Sequence, residues 1–230
     1  MLERSLVEPL SRNQIAWRAA QDLEEGMVVN LGIGMPVLAS SYAPEGREVI
    51  YQSENGIVGV GPEAAEGNAD PDLVDAGSRN VTLAPGGTVI DSAGAFAMIR
   101  GGHIDVTLLG GFEVAANGDL ANWDAQVPNK GQLVGGAMDL AFGAKAVRIM
   151  MQHTTKTGAP RLLNACTLPL TAPGCVTRVY TDLAVVDVLD GGFVVREILS
   201  GMSQDELQAK TEAPLTFASD CKALDAPAGL

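Results

Sequence analysis

Short apolar runs, each cut off by glycine and several leading into a capped helical stretch, are what most restricts the fold of this chain. Met27-Val28-Val29-Asn30-Leu31 has strand character and stops at Gly32-Ile33-Gly34-Met35-Pro36, with the proline near the first position of the next predicted helix. Ahead of it, Ser11 and Gln14 form a capping-box pattern, Ile15, Ala19 and Leu23 recur at helical spacing, and Gly26 is the stop. Val81-Thr82-Leu83 reads as a strand ending in the turn Pro85-Gly86-Gly87, and Asp91-Ser92 caps a helix that Gly101-Gly102 closes. Strand Ile104 to Leu109 follows, then a hairpin around Asn117-Gly118, a helix opening at Gly135-Gly136, and strand Ala146 to Met151. Leu183 to Val188 and Phe193 to Ile198 form a second hairpin through Asp190-Gly191-Gly192, and Ser203 with Glu206 caps a last short helix. Strands alternating with helices early and hairpins late predict an α/β protein: a mixed, mainly parallel sheet flanked by helices, with a hairpin-rich C-terminal part.

At 230 residues we expect one domain, spanning 1–217, followed by a flexible C-terminal tail, 218–230, whose last residues Ala226 to Leu230 look frayed. A hydrophobic content of 47% with 19% charged residues is globular. The net charge of −13 argues against nucleic-acid or anionic-membrane partners, which need a basic surface. Three cysteines, Cys166, Cys175 and Cys221, form no close pair, which suits a reducing cytoplasm and offers no zinc site. No signal-peptide pattern opens the chain, and no apolar run reaches the roughly 18 residues of a membrane span. We expect a cytoplasmic protein with no metal and no redox cofactor.

Gln52-Ser53-Glu54-Asn55-Gly56 places a carboxylate at the end of the predicted strand Glu48 to Tyr51. Gly56, Gly59, Gly61 and Pro62 predict that neither helix nor strand continues beyond it. In open α/β sheets, ligands bind outside the carboxyl ends of the strands. Spacing alone favours a plain turn in which Asn-Gly supplies the positive φ, with a ligand-facing Glu54 as the other reading. Gly32 and Gly34 are open in the same way, between a tight packing turn and an anion cradle of backbone N–H groups. The acidic stretch Glu63 to Asp75 predicts a solvated surface loop with a short helix, His103 a helix-end or packing role, and Trp123 a core anchor beside Asn122.

Ser53-Glu54-Asn55-Gly56 with its glycine-rich continuation resembles the signature of family I coenzyme A transferases. The likeness runs from about Ser11 to Leu215. It includes Met98-Ile99-Arg100-Gly101-Gly102-His103, Gly118-Asp119-Leu120-Ala121-Asn122-Trp123, Val134-Gly135-Gly136-Ala137-Met138-Asp139-Leu140 and Cys166-Thr167-Leu168-Pro169-Leu170-Thr171. These motifs are similar to the β-type half of 3-oxoacid coenzyme A transferases, the half that carries the glutamate, and Met150-Met151, Lys156-Thr157-Gly158 and Tyr180 to Val185 to the 3-oxoadipate branch.

The resemblance implies a NagB/RpiA-like fold, an α subunit as partner in a heterodimer or heterotetramer, and succinyl-CoA and a 3-oxoacid as substrates. It implies Glu54 as covalent nucleophile, coenzyme A as substrate and transient adduct, and a substrate site near Gly32, Gly34, Asn55, Gly56 and Asn122. The family's oxyanion pattern Gly-x-Gly-Gly falls on Leu133-Val134-Gly135-Gly136, so Gly135 and Gly136 remain as donors while Leu133 replaces the first glycine. A CoA-ester hydrolase in which Glu54 activates water is the chemically close alternative. A non-catalytic ligand sensor is the remote one, since the carboxylate is present.

Overall fold

The structure, a computed structural model, describes residues 8–128 and 131–230. In chain order it forms α1 (Arg12–Gln21), β1 (Val28–Leu31), a 3-10 helix (Pro36–Tyr42), β2 (Ile50–Ser53), β3 (Ile57–Glu63), β4 (Val81–Val89), α2 (Ser92–Arg100) and β5 (Val106–Gly110). Then come β6 (Glu113–Ala115), β7 (Leu120–Ala121), α3 (Ala137–Gly143), β8 (Ala146–Met150), β9 (Leu162–Leu163), β10 (Val176–Tyr180), β11 (Ala184–Leu189), β12 (Gly192–Leu199), α4 (Gln204–Gln208) and β13 (Leu215–Leu224).

Among the described residues, ten strands form one sheet in the order β13-β12-β11-β10-β8-β5-β1-β2-β3-β4. Its centre, β2-β1-β5-β8-β10, is parallel throughout. β3 and β4 extend it antiparallel on one side, and β11 and β12 do so on the other. A three-stranded sheet, β7-β6-β9, stands apart. The mixed, mainly parallel sheet of the sequence reading is therefore present, with α1 packed on β8 and β10 and α3 on β5. Ile15, Ala19, Leu108, Ile149, Val179 and Phe193 belong to one core and are 0 to 1% exposed.

Local signals account for the helix starts. Ser11 Oγ accepts from the Gln14 N–H at 3.1 Å while the Ser11 N–H donates to Gln14 Oε1 at 2.8 Å, and Ser203 with Glu206 repeats the arrangement at α4. Asp91 caps α2 through the Gly94 N–H at 2.6 Å. Beyond α1, Asp22 accepts from Arg18, Arg178 and Tyr180 at 2.6 to 2.7 Å, tying the helix end to β10.

Three expectations are corrected. The run after Gly56 does continue as strand β3, because its glycines sit where the pairing with β4 slips, and β4 itself passes through Pro85-Gly86-Gly87. In the Glu63 to Asp75 stretch no helix forms, and Asp75 is buried rather than solvated, accepting from the Gly77 and Arg79 N–H groups and from Arg79 Nε. Residues 218–230 are not a flexible tail. Leu215–Leu224 pairs parallel with β12, and Gln14 Nε2 and Ser11 Oγ donate to the carbonyls of Pro227 and Leu230 at 3.0 and 3.2 Å. That strand lacks a β-branched run, and what holds it is tertiary: Phe217 opposite Val195, and Leu224 1% exposed opposite Leu199.

Candidate active site

β1 is flanked by β2 on one side and β5 on the other, so the strand order reverses there. At such a reversal the loops leaving the carboxyl ends diverge and open a crevice. The crevice is present as a cleft of about 480 Å³, with Leu31 at the end of β1, Glu54 after β2, Leu109 and Gly110 of β5, Met150 at the end of β8 and Met151 just past it in its walls.

Glu54 enters it because β2 ends in a tight three-residue turn to β3. Ser53 pairs with Ile57, and the Gly56 N–H returns to the Ser53 carbonyl at 3.0 Å. Gly56 has φ of 123°, and a Cβ there would lie 2.1 Å from the Ile90 carbonyl oxygen, so the turn needs glycine. Ser53 Oγ accepts from the Ala76 N–H at 2.9 Å, and Asn55 Nδ2 donates to the Val74 carbonyl at 2.8 Å, pinning the turn to the 64–80 loop.

Burial pushes the Glu54 carboxyl above its ordinary pKa. The Gly136 N–H, which hydrogen-bonds the carboxylate, opposes that shift, and Asp139 adds to it. Asp139 is itself held by Arg100 at 2.6 Å. A Cβ on Gly136 would lie 2.9 Å from Glu54 Oε2 and 3.0 Å from Phe96, so any larger residue would have to push the Glu54 carboxylate aside. The result is a half-buried carboxylate with a backbone donor against it, suited to attack a carbonyl or to accept a proton.

Of the residues the sequence singled out, Glu54, Gly32, Gly34, Asn122, Gly135 and Gly136 line this one cleft. Leu133 lines it too, 67% exposed, its N–H donating to the Trp123 carbonyl at 2.7 Å. Asn55 and Gly56 do not line it; they shape the turn that aims Glu54. Asn122 is committed to the fold, donating to the Gly110 carbonyl at 3.0 Å and accepting from Thr171 Oγ1 at 2.6 Å. His103 lies just past the end of α2, its N–H closing back on the Met98 carbonyl. Sequence reading missed Arg12, Gln152 and Arg161 in the walls; nothing local marks them, though Gln152 follows a strand's carboxyl end.

A larger hollow, about 680 Å³, lies at the amino ends of β8 and β10. Its Asp22, Arg178 and Asp187 are spent on one another. Among the described residues no three His, Cys, Asp or Glu side chains are grouped to hold a metal ion, and no helix is long and apolar enough to cross a membrane.

The coenzyme A transferase family matches residues 12–210. The chain is 48% identical over 210 residues to the B-type subunit of 3-oxoadipate CoA-transferase from Acinetobacter baylyi, covering 91% of this chain and 97% of that protein. It is 47% identical over 203 residues to the B-type subunit of succinyl-CoA:3-ketoacid coenzyme A transferase from Helicobacter pylori, covering 88% and 97%. Its fold is that of an acyl-CoA transferase of Escherichia coli O157:H7 in a thioester complex with CoA, with a TM-score of 0.73 and 19% identity over 97% of this chain and 44% of that one. With a carboxylate at the strand reversal and relatives of nearly the same length throughout, the chain belongs to the coenzyme A transferase family as the β type of subunit.

Proposed function

We propose that the chain is the β-type half of a 3-oxoacid coenzyme A transferase that moves CoA from succinyl-CoA to a 3-oxoacid through a covalent adduct on Glu54. The observation that carries this is the half-buried Glu54 carboxylate at the strand reversal with the Gly136 N–H on it. A carboxylate is both nucleophile and, once acylated, leaving group. Glu54 attacks the thioester carbonyl, a C–O bond forms, and CoA thiolate leaves a mixed anhydride. The thiolate attacks the Glu54 carbonyl, releasing succinate and leaving a glutamyl thioester. The 3-oxoacid carboxylate then attacks that carbonyl and expels thiolate. The thiolate closes on the oxoacyl carbonyl of the second anhydride, freeing Glu54. No step changes oxidation state.

Each attack builds negative charge on a carbonyl oxygen, and the N–H groups of Gly135 and Gly136 are the donors we assign to it. Removing one such donor typically costs about 2.7 to 4 kcal/mol of barrier. The acceptor we infer is dicarboxylic 3-oxoadipate, on the name of the Acinetobacter relative. Three free thiols suit a cytoplasmic setting.

We further propose an α subunit as partner, in a heterodimer or heterotetramer. Both relatives carry the name of one subunit of an enzyme, not of the whole. Ile33 and Leu133, which line the cleft, are 67% exposed, and Val134 beside Leu133 and Phe142 of α3 are 71% exposed, apolar side chains of the kind that mark a protein contact. Closing it would keep water from the anhydride.

The test is mass spectrometry of the tryptic peptide Glu48 to Arg79 after the chain and its α subunit meet succinyl-CoA. A CoA adduct on Glu54, absent from Glu54→Ala, is expected. Steady release of CoA and succinate with no adduct and no acceptor would instead establish the hydrolase.

A further inference from the structure

The cleft that holds Glu54 also holds two arginines that the transfer steps leave unused, Arg12 and Arg161. Arg161 is fixed through its backbone: its N–H donates to the His153 carbonyl at 3.2 Å and its carbonyl accepts from Val114 at 3.0 Å. Its side chain is half-buried, and burial pulls its pKa below the usual arginine range. Asp182 acts on it through space, but no ion pair or side-chain hydrogen bond forms among the described residues. Arg18, Arg79 and Arg178, which are also partly buried, each have a carboxylate at 2.6 to 2.7 Å. Buried charge is ordinarily paired. In a chain of net charge −13, an unpaired, partly desolvated guanidinium in the wall of a ligand cleft calls for an anion from outside.

We propose that Arg161, with Arg12 lining the same cleft, binds the distal carboxylate of a dicarboxylic acyl group whose other carboxyl carbon is being transferred at Glu54. The proposal rests on the transferase reading above. The acyl group must enter with its thioester carbonyl at Glu54, so its far end falls inside the same cleft. The phosphates of CoA lie at the opposite end of the pantetheine arm. Arg161 precedes the buried Leu162, and its N–H is held by the carbonyl of His153, two residues past the cleft-lining Met151. Succinyl and 3-oxoadipyl groups both end in a free carboxylate, so one guanidinium serves donor and acceptor. Its planar fork matches a carboxylate with two parallel hydrogen bonds.

The test uses the complex with its α subunit and compares 3-oxoadipate with the monocarboxylic acetoacetate. In Arg161→Met the ratio of their kcat/KM values should fall by about 10- to 100-fold, the worth of a charged hydrogen bond, and Arg161→Lys should restore part of it. Because the ratio is read within one preparation, a partly folded variant still reports. Equal losses for both acids, or a rise in KM for every CoA ester alike, would place Arg161 on the CoA phosphates and overturn the proposal. Calorimetric titration with succinate and butyrate gives a readout free of turnover. A succinate preference lost in Arg161→Met, with no transfer by the wild type, would sink the transferase reading and keep Arg161 only as a carboxylate-binding residue. Transfer with a preference indifferent to Arg161 would do the reverse.

Discussion

Glu54 is kept by function against the interest of the fold. Its folded pKa is raised, chiefly by burial, so it adds stability only below its unfolded value, and that stability is lost as pH rises through the folded one. At pH 7 the ionised group is therefore a net burden. Glu54→Gln should abolish transfer and melt no lower than the wild type at pH 7, with any gain vanishing near pH 4. The wild-type rate should fall in acid at a pH above that of an ordinary glutamate. A lower melting temperature for the variant at pH 7 would contradict the account. His153 shows the opposite sign. It is 0% exposed, its ring nitrogens meet Thr181 Oγ1 at 3.0 Å and Thr211 Oγ1 at 2.8 Å, and burial, helped by Lys210, pulls its pKa to about 4. Stability from the neutral ring is whole above about 6.5 and is lost as pH falls toward 4, by up to about 3 kcal/mol. Urea unfolding at pH 7 and pH 5 should show about 2 kcal/mol of that drop, and His153→Gln, weaker at pH 7, should show a shallower one. Glu54 was legible because a motif surrounds it; His153 and Arg161 were not, since their surroundings come from residues 28 to 58 positions away or from cleft walls made elsewhere.

Among elements, the helices and hairpins with local chemistry were legible in the sequence: Ser11 and Ser203 cap, Asn117-Gly118 turns, Asp190 to Gly192 turns. Glycine misled where it served a bulge. Gly59 and Gly61 read as breakers, yet they let β3 shift register against β4, with Gly59 and Gly87 too close for a Cβ on Gly59. β13 was illegible because its pairing is parallel and follows an excursion through α4. The β2–β3 turn makes the sharpest demand on an element. Gly56→Ala should cost roughly 2 to 4 kcal/mol in denaturant unfolding, since strain at positive φ adds to a clash with the Ile90 carbonyl. A loss under about 0.5 kcal/mol, the scale of a neutral surface change, would show that the turn can relax.

At the scale of the molecule, the apolar rim should behave as a docking face. Phe142 lies in the last turn of α3 at 71% exposure, so Phe142→Glu should leave the circular dichroism of the chain unchanged while weakening capture of the α subunit at least about 30-fold, the loss of one aromatic anchor. Unchanged affinity in sedimentation or titration would move the contact elsewhere. The order of the large sheet has a consequence in time. β2, β3 and β4 each pair with the strand made just before, β5 returns to β1, and β8, β10, β11, β12 and β13 then add one after another at the open edge. No strand of this sheet waits for a later one to be inserted between it and its neighbour, so the sheet can grow as the ribosome delivers it, at about 5 to 20 residues per second. Nascent chains arrested with Gly110 well outside the ribosome should already resist protease across 28–110, and the β1, β2 and β5 walls of the crevice would stand before half of the protein had been made, with the Gly136 and Met150 walls added later.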